Sequence, residues 1–142
     1  MMKRITLLEV EYVAFRLAKE TLSFNEPIPD FSTRFPNALE SCLAAPFQTF
    51  GGKSLYPNLL AKAAMLFYLM VKNHPFQNGN KRLAMTTMFV YLYMNNKWLK
   101  IDNQELYNFA IWVASSNPKL KTETVLAVEK FLKTCIVDLK DN

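Results

Sequence analysis

Two apolar stretches, LLAKAAMLFYLMV at 59–71 and LAMTTMFVYLYM at 83–94, constrain the fold of this chain more than any other feature. Each is apolar almost all the way round a helix, a pattern that only a helix enclosed by neighbours tolerates. Each is also well short of the roughly 18 to 20 residues needed to cross a bilayer. The pattern predicts two central core helices, from about Pro57 to Asn73 and from Asn80 to about Asn95, and no membrane span. Pro75 cannot continue the first of them.

Weaker periodicity and capping signals predict helices around this pair. Thr6 and Glu9 have capping-box spacing, and Leu7, Val10, Ala14 and Leu17 follow at helical intervals, so a first helix is expected to about Leu22. FNEPIPDFSTRFP, with three prolines and no period, is expected to cross the surface. Pro36 then opens a short helix that ends before Pro46. In TFGGKSLYP a Gly-Gly pair between Phe50 and Leu55 predicts a hairpin. Asp102 with Glu105 opens a helix to about Ser116, and Thr122 is expected to cap a last one with Val125, Val128, Leu132, Cys135 and Leu139 on one face. The expectation is an all-α bundle of about six helices with one short β-hairpin flap.

At 142 residues, about half of them hydrophobic, the chain has the size and core content of a single domain, residues 1–142. Three glycines and no low-complexity run leave no linker to mark a boundary. Cys42 and Cys135 have no CxxC spacing, no second histidine to share a metal and no secretory leader before them. They are expected to be buried reduced thiols of a cytoplasmic protein. The net charge of +5 is scattered, so direct nucleic-acid binding has no basic arm or motif behind it.

The two core helices are joined by a polar loop within VKNHPFQNGNKRLAM at 71–85, which contains the chain's one histidine. A lone histidine after a helix is commonly a C-terminal cap, and Gly-Asn is commonly a turn. The combination says more. Lys81 and Arg82 fall in the opening turn of a helix, where cations are disfavoured by roughly 0.3 to 1 kcal/mol each, a penalty that a bound anion would reverse. Gly79 lets a ligand approach the backbone, and the Asn80 amide adds a donor. Imidazole is the one side-chain type here that ordinarily changes charge near neutral pH, so His74 can accept a proton from an attacking hydroxyl. Phe76 is expected to plug the core and steady the loop.

HPFQNGNKR closely resembles the signature of the Fic/Doc superfamily, whose Fic branch reads H-P-F-x-[DE]-G-N-G-R and whose Doc branch reads about H-x-F-x-[DN]-[AG]-N-K-R. Lys81 matches the Doc branch. The stretch ALESCLAAPFQTFGGKSLYP and both core helices are also similar to Doc-type toxins, so the likeness runs from Thr6 to about Lys133. It implies a Fic/Doc-like helical fold with His74 as general base and with Gly79, Asn80, Lys81 and Arg82 on the phosphates of ATP. Asn78 would touch Mg2+, though an amide brings the cation no negative charge.

The same likeness gives the flap residues Thr49, Phe50, Gly51, Gly52, Lys53 and Ser54 the task of pairing with the target backbone. It further implies phosphate transfer to a threonine or serine hydroxyl of a translation elongation factor, with AMP transfer or a silent, partner-binding module as alternatives. The chain contains no [ST]-x-x-x-E-[GN] segment of the kind with which Fic proteins silence themselves, so control is expected from an antitoxin acting in trans.

Overall fold

The computed structural model describes residues 2–21 and 27–139. The expected end of the first helix at Leu22 and the start of the proline-bearing crossing, 24–26, lie outside them. The chain opens with α1 (Leu7–Glu9), a π-helical turn (Val10–Ala14) and α2 (Phe15–Thr21), which run on as one rod. Thr6 and Glu9 form the capping box, with the Thr6 N–H donating to Glu9 Oε1 at 2.8 Å. The π turn rephases the rod so that Val10, Ala14, Phe15 and Ala18 all reach the core.

A 3-10 turn (Phe31–Thr33) leads to α3 (Pro36–Ala44), with Pro36 at its first position, and then to a second 3-10 turn (Ala45–Phe47). The hairpin β1 (Thr49–Phe50) and β2 (Lys53–Ser54) follows, turning through Gly51 and Gly52, which both have positive φ. The central pair is α4 (Leu59–Lys72) and α5 (Asn80–Met94). Asn58 caps α4 by accepting from the Ala61 N–H at 2.8 Å. From Ala61 to Val71 every residue of α4 is buried, as the apolar pattern predicts, because α5, α6, α7 and α3 surround it. No helix among the described residues is long and apolar enough to cross a membrane.

After β3 (Lys97–Leu99) comes α6 (Asn103–Ser115), capped by Asp102, whose carboxylate accepts from the Gln104 and Glu105 N–H groups. A 3-10 turn (Pro118–Leu120), α7 (Lys121–Cys135) and β4 (Ile136–Asp138) complete the chain. Two expectations differ here. Thr122 does not cap α7: the chain enters it through the 3-10 turn, where Asn117 accepts from the Lys119 N–H at 3.0 Å. Leu139 does not extend the helical face either, because α7 stops at Cys135 and β4 pairs antiparallel with β3 in the register Lys97↔Asp138, Trp98↔Val137, Leu99↔Ile136. Three-residue strands about forty positions apart show no local period, so this second sheet was invisible to pattern reading.

Candidate active site

The loop between α4 and α5 is built in three steps. Asn73 closes the last turn of α4, its N–H donating to Leu69 O at 2.8 Å. His74 then reverses the chain with a φ of +46°, a left-handed conformation uncommon for a residue with a Cβ and one that clusters at functional sites. Finally Phe76 drops into the core, 1 % exposed, against the rings of Phe15 and Phe31 at centroid distances of 5.8 and 5.9 Å.

Asn80 locks this shape. Its Oδ1 accepts from the Phe76 N–H and its Nδ2 donates to Phe76 O, both at 2.9 Å, so one buried amide satisfies both backbone groups of the plug residue. The same Nδ2 lies 3.5 Å from His74 Nδ1, the outer limit of a hydrogen bond, and so does not by itself fix the ring's tautomer. His74 is exposed. An imidazole Nε2 can accept a proton only when the ring proton sits on Nδ1, and in that tautomer the Asn80 amide makes no hydrogen bond to Nδ1.

Gly79 stands before α5 with a φ of +74°, and a Cβ there would fall 2.6 Å from Ile28 Cδ1 and 3.1 Å from Pro27 O. The first intrahelical bond runs from the Leu83 N–H to Gly79 O. The Asn80, Lys81 and Arg82 N–H groups precede that ladder and carry the positive end of the helix dipole towards the loop. The structure thus brings His74, Asn78, Gly79, Asn80 and Lys81 to one turn.

Two expected contributors are placed differently. Arg82 is 6 % exposed and donates from Nη2 to Ala18 O at 2.6 Å, tying α5 to α2. The hairpin of Thr49, Phe50, Gly51, Gly52, Lys53 and Ser54 forms as expected but sits at the other end of α4. Lys62, one turn into that helix, donates to Ser54 Oγ at 2.9 Å and to Tyr56 O. His74 follows the last residue of α4, Lys72, which is ten residues and about 15 Å of helix rise from Lys62.

What does lie against the loop is Pro27–Phe35, expected simply to cross the surface. Ile28 meets Gly79, Phe31 packs on Phe76, and the Phe35 N–H donates to Pro75 O at 2.9 Å. The two phenylalanines between prolines were the available signal, but nothing local ties them to a loop forty residues on. A cleft of about 540 Å³ between Leu55–Asn58, α4 and α7 shares no residue with the loop.

As a metal site the loop is poor. Asn78 is exposed, and its Oδ1 already accepts from the Gly79 N–H at 2.9 Å. No group of three or more His, Cys, Asp or Glu side chains that could hold a metal ion occurs among the described residues. One neutral oxygen does not hold a hard divalent cation, which wants carboxylates or phosphates. These residues do not fit a resident Mg2+.

Fold and loop together define a helical protein with a histidine-bearing, anion-compatible turn between its two central helices. The Fic/DOC family profile matches residues 5–92, so the match takes in the rod, the hairpin, α4, the loop and nearly all of α5. The chain belongs to the Fic/DOC family. Among curated proteins it is similar to the "Toxin Doc" of Mycolicibacterium smegmatis, 36 % identical over 64 residues, which is 45 % of this chain and 49 % of that protein. The chain thus matches about half the length of this relative. No solved structure matches.

Proposed function

We propose that this protein is a Doc-like toxin of a toxin–antitoxin pair, transferring the terminal phosphate of ATP to a threonine or serine hydroxyl of a translation factor in the cytoplasm. One observation carries the reading: the Asn80 amide ties both backbone groups of the plug Phe76 to the helix start, two residues after His74 reverses the chain, so a base and an anion-binding helix end share one rigid frame. The family match supports it.

The target's hydroxyl oxygen attacks the terminal phosphorus in line with the bond to the leaving oxygen. The O–P bond forms, the bond to the leaving phosphate breaks, ADP departs, and His74 Nε2 takes the hydroxyl proton. Gly79 supplies the left-handed turn that opens α5, its missing Cβ leaving room for Ile28. Asn80 holds the loop's shape, and Lys81 meets the developing charge. Any Mg2+ would arrive on the nucleotide, held mainly by phosphate oxygens, and no step here runs through it. Lys81, where Fic enzymes have glycine, favours phosphate over AMP transfer. The partners proposed are the protein substrate and an antitoxin that acts in trans.

Expression should arrest growth, and His74→Ala should abolish the arrest. Mass spectrometry of a candidate target incubated with ATP separates phosphate from AMP addition. Undiminished toxicity in His74→Ala would refute the mechanism. The second reading, a silent fold that only binds its partner, is favoured by the engagement of the Asn78 carbonyl with Gly79. Under that reading Asn78→Asp leaves target modification absent, whereas an active enzyme gains turnover from the added charge.

A further inference from the structure

We propose that Lys62 is a positioning residue for docking of the protein target: its buried ammonium aims the β1–β2 hairpin, on which an extended segment of that target lies. The inference rests on the proposed function and deepens it, because Lys62 touches neither nucleotide nor hydroxyl and acts through the hairpin.

What holds the hairpin to the body lies at its base. The Leu55 N–H donates to Gln48 O at 3.0 Å, and the Phe47 ring packs edge-on against Tyr91 at 5.8 Å. Beyond the base the hairpin projects. All four strand residues are exposed, Phe50 at 80 %, and a Cβ added at Gly51 or Gly52 would meet nothing within 4 Å. Among the described residues β1 and β2 pair only with each other, so their outer edges are open to a third strand.

Lys62 meets both legs of that base. Its Nζ donates to Ser54 Oγ at 2.9 Å, at the end of β2, and to Tyr56 O just beyond it. The same amine lies 5.9 Å from the ring centroid of Phe47, which precedes β1. Lys62 is 7 % exposed, and no carboxylate among the described residues pairs with it. An ammonium buried without a counter-ion is costly. A side chain that served only to fill this space would be apolar, like its neighbours Ala61 and Ala63. Hairpin and His74 lie at opposite ends of α4. The rise of about 15 Å between Lys62 and Lys72 equals roughly five residues of extended chain, so one target segment reaches both. The direction of that segment is set at the hairpin's base.

The test reads amide exchange by NMR, and growth arrest on expression at matched soluble protein, for the wild type, Lys62→Met, Ser54→Ala and His74→Ala. Lys62→Met keeps an unbranched stem in the same space. It should speed exchange of the Leu55 N–H about tenfold, the worth of one hydrogen bond to a charged group, and lose the arrest. The Phe76 N–H, bonded to Asn80 Oδ1, should exchange as before, whereas a general structural role would move both amides. Ser54→Ala removes one of the two acceptors and should shift Leu55 less in the same direction, a readout that stands even if Lys62→Met does not fold. Unchanged Leu55 exchange in both variants overturns the proposal. So does full arrest by a Lys62→Met protein whose Leu55 amide exchanges fast, or a Phe76 amide that moves in step with Leu55. Arrest that survives His74→Ala but is lost in Lys62→Met overturns the transfer reading and supports the docking role; a wild type that arrests nothing overturns both.

Discussion

Asn80→Ala is the sharpest probe of how the loop is held. The substitution strands the Phe76 N–H and C=O, each paired at 2.9 Å with the Asn80 amide and each buried. A buried polar group left without its partner costs roughly 1 to 3 kcal/mol, so the two together should cost about 2 to 6 kcal/mol. That is a large part of the roughly 5 to 15 kcal/mol by which domains are stable. With a urea slope of about 2 kcal/mol/M, a loss near 3 kcal/mol lowers the unfolding midpoint by about 1.5 M. Asn80→Asp keeps an acceptor for the Phe76 N–H but sets a carboxylate oxygen against Phe76 O, so it should be at least as destabilised. Exposed Gln77→Ala in the same loop is the control and should stay within about 0.5 kcal/mol. The assay is equilibrium urea unfolding followed by circular dichroism. A loss under about 1 kcal/mol in Asn80→Ala would mean that ring packing of Phe76 holds the loop unaided, and the argument from the amide would fail.

Gly79→Ala should cost about 2 to 4 kcal/mol in the same assay. It forces a side chain into a left-handed conformation and against Ile28 Cδ1 and the Pro27 carbonyl; a loss below about 1 kcal/mol would show that the Pro27–Phe35 segment yields freely. The Cys42 thiol is pushed up from 9.0 to about 12 by burial, so native protein at pH 8 should leave it unalkylated by iodoacetamide while half-buried Cys135 reacts first, as peptide mass spectrometry would read. The sign follows from the raised value: the contribution of Cys42 to stability is complete below pH 9 and declines as the pH climbs towards 12. A midpoint that rises over that window in the wild type relative to Cys42→Ala would contradict it.

Much of the site was legible because its causes are local. The αL glycine before α5, the proline that ends α4 and the apolar plug at Phe76 are all features of one nine-residue string, and each acts within a few residues of itself. The hairpin was equally legible as a structure, since Gly51 and Gly52 make its turn without help from elsewhere. Its location was not. Lys62 anchors it to the start of α4, and only the length of that helix separates it from His74. Arg82 shows the same limit: its place in the motif is a matter of sequence, but its bond to Ala18 O joins residues 64 positions apart.

The amino-acid order by itself therefore determined that two enclosed helices meet at a polar, histidine-bearing turn, because helical period, proline and glycine act over a few residues. Tertiary structure alone decided what surrounds that turn. The Pro27–Phe35 segment has no period and its local hydrogen bonds make only one 3-10 turn, so its course is set by where Ile28, Phe31 and Phe35 find distant partners on the loop. The β3–β4 pair is likewise decided by an edge strand meeting a chain end about forty residues later. Contacts of that range leave no spacing to read, since their free energy comes from surfaces that exist only after the helices have packed.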